Sequence, residues 1–416
     1  MLKSVKHLMW TMAAVGSLAG SAAYSEEGAS TALPPATAAD RANFPPSDAH
    51  LRWTAEQKVI GHRNMHVMYP TRAIPAGGKV FPLPRGIDIA PTYKIDNVAY
   101  SLDDYFQRSK ASGLLVIKKG RIVLERYGNG YTEQTAGTSR SMAKSMTSIL
   151  VGAAIKDGYI KSLDEPVANY VPEMKGTMYG DILLRQVLSM LSGVPYVENA
   201  DDAKSDVSLL IGCMDKNQKG CIVAFLKDLA TRPDAKPKPP GSSFYYSTAD
   251  SALMGVVVER ATKMPLTEYM AKRVWQPFGM ERDGYWNAES ADGNTIGGSG
   301  FGASLRDYGR VGLFVMRGGV LPSGDKVLPD GWMAEAIKPS LASIEAKQPY
   351  GYYWWRPTYA QGEMQGSEGA YFARGSNGQA ILVNPAEDVV IAKWGAVNSA
   401  EDNVLYAAIV NQLHGK

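Results

Sequence analysis

The chain has 416 residues, of which 45% are hydrophobic and 20% charged, so it can form one large domain or two lobes with substantial cores. This composition is ordinary for a globular protein. The 44 basic and 41 acidic residues leave a net charge of only +3, which gives no indication of a nucleic-acid partner.

The first 23 residues are typical of a secretory signal peptide. Lys3 and Lys6 supply positive charge, residues 8–18 are mostly apolar, and small residues follow at 21–23. The apolar run is too short to span a membrane comfortably, although an uncleaved anchor is the alternative. We expect a periplasmic or secreted protein with no stable membrane insertion once the signal is cleaved.

Residues 24–98 predict a segment with little regular structure. Its first part is rich in Ala, Ser, Thr and Pro, which is typical of a flexible lead-in. The rest carries aromatic, Pro and Gly residues with little periodicity and predicts an irregular arm packed on the main body. The main domain is expected to occupy residues 99–416.

Regular elements are predicted from about residue 100 onward. Two apolar runs, 114–117 and 122–125, flank a polar turn and predict a β-hairpin. Residues 141–157 predict a buried helix that ends at Gly158.

A mostly helical lobe is predicted over about residues 159–340, with its clearest helix at 249–262. The elements that follow are a strand at 350–355, a hairpin formed by 379–383 and 388–394, and a helix at 401–413. The early and late strands are expected to meet in one antiparallel sheet flanked by helices, an α/β architecture. The cleft between this sheet and the helical lobe is a natural place for a ligand.

Residues 141–144, Ser-Met-Ala-Lys, open the predicted buried helix and carry the strongest chemical signal. Ser141 and Lys144 lie one turn apart on one helix face, and no histidine between His66 and His414 is available to accept a serine proton. A buried lysine loses its proton readily and can act as the base. The N–H of Ser141 at the helix start suits a developing oxyanion.

The motif Ser-x-x-Lys is weak by itself, and the chain holds a second copy at Ser323 and Lys326. Pro and Gly-Asp in that copy predict an exposed turn, so we interpret it as a solvated loop. A further signal is Tyr246, on a predicted loop before the helix at 249–262, where its phenol could relay a proton. A tyrosine is more commonly a core or surface aromatic.

Several linked stretches resemble the serine β-lactamase-like hydrolases of the class C type. They are Ser141-Met142-Ala143-Lys144-Ser145, residues 158–167, residues 183–193, residues 240–247 and residues 306–310. Within that group the chain is most similar to the 6-aminohexanoate-dimer (nylon-oligomer) hydrolases, through residues 64–71 and 375–379. The resemblance implies a β-lactamase/transpeptidase-like fold and a small amide or ester substrate that is cleaved through an acyl-enzyme.

The same resemblance implies a set of site roles. Ser141 would be the nucleophile, Lys144 its base and Tyr246 the proton relay, with Gly375 and Ser376 near the second oxyanion N–H and Tyr196 matching a tyrosine that contacts substrate.

The chain departs from the family pattern in two places. Arg374-Gly375-Ser376 stands where true β-lactamases have Lys-Thr-Gly, and Thr248 replaces the asparagine often found two residues after the tyrosine. Both changes argue against efficient penicillin hydrolysis. The alternatives are a carboxylesterase, a D-amino-acid or peptidoglycan peptidase of the same fold, or a non-catalytic ligand-binding or sensor protein.

Cys213 and Cys221 are the only cysteines. In an exported chain an oxidising compartment favours a short-loop disulfide between them, with two buried thiols as the alternative. With no histidine nearby they make a poor metal site, and neither a metal nor a cofactor is expected.

Overall fold

Strands near both ends of the chain enclose a mostly helical middle in the computed structural model, which describes residues 31–416. The predicted signal peptide, residues 1–23, lies outside the described residues. Within 31–416 no helix is long and apolar enough to cross a bilayer.

The strands are β1 (Thr71–Ile74), β2 (Tyr93–Ile95), β3 (Val98–Tyr100), β4 (Ala111–Lys118), β5 (Arg121–Tyr127), β6 (Gly137–Thr138), β7 (Gly284–Asn287), β8 (Phe301–Ala303), β9 (Tyr371–Gly375), β10 (Gln379–Asn384) and β11 (Val389–Gly395). The α-helices are α1 (Ala38–Ala42), α2 (Ala55–Met68), α3 (Leu102–Ser109), α4 (Met142–Lys156), α5 (Leu184–Leu188), α6 (Asp206–Ile211), α7 (Cys213–Lys216), α8 (Cys221–Ala230), α9 (Thr248–Thr262), α10 (Leu266–Met270), α11 (Gln276–Phe278), α12 (Leu305–Met316), α13 (Trp332–Ala336), α14 (Leu341–Glu345) and α15 (Glu401–Leu413).

The main sheet has the antiparallel order β5-β4-β11-β10-β9, so the early hairpin pairs with the late one, as the sequence predicts. Val116 of β4 lies opposite Ile391 of β11. Every residue of β4 is buried, because alternate side chains enter two separate cores. Leu115 and Ile117 pack in the core shared with α4 and α12, whereas Leu114 and Val116 pack in the core that contains α15.

A smaller antiparallel sheet has the order β1-β7-β8-β6, which the sequence pattern does not predict. β7 and β8 lie inside the span 159–340 that is predicted to be mostly helical. They have only four and three residues, too few to show the periodicity of a strand. β6 pairs with β8 shortly before α4 begins, so this sheet helps to place the start of that helix.

Residues 31–98 are more regular than predicted, because α2 is a 14-residue helix with a capping box formed by Thr54 and Gln57. Its buried face includes His62 and Asn64, so it lacks the apolar periodicity that marks a helix in sequence. The prediction of an irregular arm is wrong for this segment. The helix packs on β6 and β7.

The aromatic run at 350–355 is not a strand, contrary to the prediction. Tyr350 and Trp355 form an isolated bridge, and Trp355 forms another with Phe372 of β9. The side chains of Tyr350 and Trp354 are fully buried. Core packing rather than strand pairing therefore accounts for this run of aromatic residues.

Cys213, at the start of α7, is joined to Cys221, at the start of α8, by a disulfide. Replacing both cysteines with alanine is expected to lower the free energy of unfolding by about 2–3 kcal/mol, since a short loop constrains the unfolded chain only modestly. Urea denaturation of the double variant and of the oxidised and reduced wild type measures this. A double variant as stable as the oxidised wild type would contradict the prediction.

Candidate active site

Ser141 lies at the N-terminus of α4, which is buried along nearly its whole length. The helix ends at Lys156 and is followed by Gly158 in the left-handed region, with a φ of 78°, which confirms the predicted helix. The first turn leaves the backbone N–H of Ser141 at the positive end of the helix dipole. The helix start therefore favours a negative charge that develops beside Ser141.

Lys144 projects from the first turn of α4 and is only 1% exposed. Its Nζ lies 3.1 Å from Ser141 Oγ, 3.0 Å from Thr248 Oγ1 and 2.9 Å from the Gly298 carbonyl oxygen. Burial lowers the pKa of Lys144 to about 8, against the opposing effect of the Glu198 charge. A lysine with this pKa is partly neutral near pH 7 and can accept a proton from a neighbouring hydroxyl.

A short polar chain leads from Lys144 to Glu198, a residue that the sequence motifs do not single out. Thr248 Oγ1 donates to Glu198 Oε1 at 2.6 Å, and the Thr248 N–H donates to Glu198 Oε2 at 2.8 Å. Glu198 thereby orients the threonine hydroxyl so that its oxygen accepts from Lys144. An isolated acidic residue on a loop carries no local signal for such a contact.

Tyr246, rather than its neighbour Tyr245, faces Lys144. The Lys144 Nζ lies 4.8 Å from the centre of the Tyr246 ring, which stacks on Trp355 with 5.7 Å between centroids. Tyr245 is 52% exposed. Burial raises the pKa of the Tyr246 hydroxyl, and interaction with the Ser141 side chain partly opposes this rise, so the phenol stays protonated at neutral pH.

Ser141 and Tyr246 border a cavity of about 420 Å³. Ser141, Tyr246, Thr248, Gly375 and Ser376 line it, together with Val207 and Ile211 of α6 and with Leu51, which lies outside the helices. A more open groove of about 780 Å³ lies elsewhere and includes none of these residues. Among residues 31–416, no three His, Cys, Asp or Glu side chains are grouped so that they could hold a metal ion.

Gly375 brings the end of β9 against the start of α4. A Cβ at this position would lie 2.2 Å from the Ser139 carbonyl oxygen and 3.0 Å from the Ser141 nitrogen, so only glycine fits this approach. Ser376, the next residue after Gly375, lines the same cavity as Ser141.

Tyr196 is placed differently from the other predicted site residues. Its side chain is 4% exposed and packs in the core. It does not line the cavity. The structure therefore brings Ser141, Tyr246, Gly375 and Ser376 to one cavity, with Lys144 bonded to Ser141 behind it. Tyr196 lies outside this cavity, so its contact with substrate stays a prediction.

The second Ser-x-x-Lys copy lies on an exposed turn, as predicted. Ser323 and Lys326 are both exposed. Their side chains bond Asp325 and Asp330 rather than each other. The two copies of the motif thus differ in burial and in the partners of the serine and lysine side chains, which bond each other only in the first copy.

The fold and the arrangement of Ser141, Lys144 and Tyr246 define a protein of the β-lactamase/transpeptidase-like class. A penicillin-binding protein structure from Bacillus halodurans superposes with a TM-score of 0.56 at 19% identity, over 73% of this chain and 97% of that one. The chain belongs to the Beta-lactamase family, whose model matches residues 102–413. This is a family of serine hydrolases that includes esterases and amidases.

The 6-aminohexanoate-dimer hydrolases are among its similar proteins. The enzyme of that name from Paenarthrobacter ureafaciens is 26% identical over 327 residues, which cover 73% of this chain and 78% of the relative. A Bacillus anthracis structure provisionally named for the same activity has a TM-score of 0.75 and 22% identity, over 89% of this chain and 98% of that one. Protein flp of Staphylococcus aureus strain MW2 is 26% identical, but the match covers 41% of this chain and 34% of flp. The predicted family resemblance is confirmed.

Proposed function

We propose that this protein hydrolyses an amide or ester bond through an acyl-enzyme on Ser141. The observation that carries the proposal is the 3.1 Å separation of Ser141 Oγ from the Nζ of a buried Lys144, whose pKa is lowered to about 8. A serine is a weak nucleophile until a neighbouring base removes its proton. Among the described residues no histidine lines the cavity, so Lys144 is the group placed to act as that base.

In acylation, Ser141 Oγ attacks the carbonyl carbon while its proton passes to Lys144 Nζ. The carbonyl oxygen becomes an oxyanion, and we propose the N–H groups of Ser141 and Ser376 as its donors. When the intermediate collapses, the bond to the leaving group breaks, and Tyr246 gives that group a proton while regaining one from Lys144. Water then attacks the acyl-enzyme by the reverse route and releases the acid.

An amide of the 6-aminohexanoate-dimer type is the proposed substrate class. The relative with that activity aligns over 78% of its own length, and a cavity of about 420 Å³ with apolar Leu51, Val207 and Ile211 in its wall suits a short alkyl chain. Rates on aminohexanoate dimer, p-nitrophenyl esters, D-amino-acid amides and nitrocefin test this. We expect hydrolysis of the dimer and the esters and little of nitrocefin; hydrolysis of esters alone would make the protein a carboxylesterase.

Tyr246→Phe is expected to lower kcat by about a hundred- to ten-thousand-fold, the usual contribution of a positioned acid or base. The change removes only the hydroxyl, and the ring keeps its stacking on Trp355, so the melting temperature should barely move. Tyr245→Phe is the matched control because that side chain is mostly in solvent. Steady-state rates and melting curves measure both effects, and equally mild losses in the two variants would place the proton relay elsewhere.

We propose further that the protein is exported and that the mature chain begins near Tyr24. The charged, apolar and small-residue segments within residues 1–23 support this, as does a disulfide between Cys213 and Cys221, since such bonds persist in oxidising compartments. Intact-mass analysis of the protein from periplasmic and cytosolic fractions measures the cleavage. A full-length chain confined to the cytosolic fraction would contradict the proposal.

A further inference from the structure

Arg140 places a buried guanidinium in the wall of the active-site cavity. The residue precedes Ser141, is 5% exposed and lines the same cavity. Its backbone has a φ of 49°, a left-handed conformation that is uncommon for a residue with a long side chain. Among residues 31–416 its side chain makes one hydrogen bond, from Nε to Ser376 Oγ at 3.4 Å.

No carboxylate of the described chain pairs with Arg140. Burial lowers the pKa of Arg140 to about 10, and only the Tyr69 hydroxyl opposes this shift, so the guanidinium keeps its charge at neutral pH. Arg310 is similarly buried and shows the usual arrangement, with ion pairs to Asp307 and Glu281 at 2.9 Å. Buried charges are ordinarily paired, because a lone charge removed from water is costly.

The basic groups near Arg140 supply no counter-charge. Burial lowers the pKa values of His50, His62 and Lys58, and the charge of Arg140 lowers them further. The Glu198 carboxylate lines the same cavity, but both of its oxygens already accept hydrogen bonds from the backbone and side chain of Thr248. Among the described residues no group supplies a negative charge to Arg140, and the cavity that it lines has room for a bound anion.

We infer that Arg140 binds a carboxylate of the substrate, so that this hydrolase acts on amides or esters that also carry a free carboxylate. The inference rests on the proposed function, since it names the substrate class of the same cavity. A planar guanidinium holds a carboxylate with two parallel hydrogen bonds, which a lysine cannot do. Because Arg140 adjoins Ser141 in the chain, the carboxylate subsite lies close to the bond that is cleaved.

Calorimetric titration with hexanoate and with hexan-1-ol, a neutral ligand that has no bond to hydrolyse, tests the carboxylate subsite without any reliance on catalysis. The wild type should bind hexanoate at least about tenfold more tightly than hexan-1-ol, the margin that a charge-assisted hydrogen bond provides. Arg140→Gln should abolish this preference, and Arg140→Lys, which keeps the charge, should retain part of it. Arg374→Gln is the matched control, because Arg374 lines the same cavity but donates to Asn403 Oδ1 at 2.7 Å, and it should keep most of the preference.

Equal binding of the two ligands by the wild type would overturn the inference, as would a preference that survives in Arg140→Gln or one that only Arg374→Gln removes. Circular dichroism establishes that each variant is folded. If Arg140→Gln does not fold, the test is made with Arg140→Lys. A weaker preference for hexanoate in this variant would support the subsite, and an unchanged preference would overturn it.

The second measurement is the ratio of kcat/KM for mono-p-nitrophenyl adipate to that for its methyl ester. The ratio should lie well above one in the wild type and close to one in Arg140→Gln. Binding of hexanoate that depends on Arg140, with hydrolysis of neither ester, would support the subsite and refute the proposed function. Hydrolysis of both esters with equal kcat/KM would overturn the subsite and leave the proposed function intact.

Discussion

Replacing Ser141 with alanine is expected to abolish hydrolysis, with a loss in kcat on the order of a million-fold. The variant has no oxygen with which to form the acyl-enzyme. Lys144 Nζ keeps its contacts with Thr248 Oγ1 and the Gly298 carbonyl, so the folded structure should be retained. Rates on a p-nitrophenyl ester and the circular dichroism spectrum measure the two expectations.

Ser323→Ala is the matched control for this change, because Ser323 belongs to the exposed copy of the motif. A fluorophosphonate probe, which reacts with activated serines, should label the wild type and Ser323→Ala but not Ser141→Ala. Near-wild-type hydrolysis by Ser141→Ala would refute the proposed acyl-enzyme. A wild type that the probe does not label would favour the non-catalytic binding or sensor alternative.

Lys144→Arg is expected to lower kcat by about a thousand-fold or more, although it preserves the positive charge. A guanidinium does not give up its proton in proteins, so the variant has no base to activate Ser141. Lys326→Arg, in the exposed motif, is the matched control and should keep full activity. Steady-state kinetics on one ester compares the two, and robust turnover by Lys144→Arg would show that another group is the base.

The wild-type rate should also rise with pH through about 8. Lys144 accepts a proton only when it is neutral, and burial lowers its pKa to about 8, so the neutral fraction grows as the pH passes that value. Values of kcat/KM between about pH 6 and 10 report this titration in the free enzyme. A flat or descending profile over that range would contradict the role proposed for Lys144.

The elements that the sequence predicts well are determined by residues that lie close together in the chain. The β4–β5 and β10–β11 hairpins are apolar runs separated by turn residues, and α4 and α15 begin and end within one residue of the predicted positions. Ser141 and Lys144 share one face of α4 through helix geometry alone. Their proximity therefore follows from a spacing of three residues.

The elements that the sequence does not predict depend on partners far along the chain. β7 and β8 pair with β1 and β6 across more than a hundred residues, and short strands of this kind are stabilised by their neighbours rather than by their own propensity. α2 buries His62 and Asn64, which local periodicity assigns to solvent. In both cases the element is stabilised by residues that are distant in the sequence, so its own residues do not predict it.

The sequence by itself determined the Ser141–Lys144 pair and the order of hairpins that brings the first and last strands of the main sheet together. Only the tertiary structure decided that Glu198 reaches Thr248 from 50 residues away, that Gly375 packs against the start of α4, and that Arg140 is buried without a counter-charge. The reason is physical. A helix face or a hairpin is set by residues a few positions apart, whereas the charge and pKa of a group in a cavity depend on burial and on contacts drawn from the whole chain.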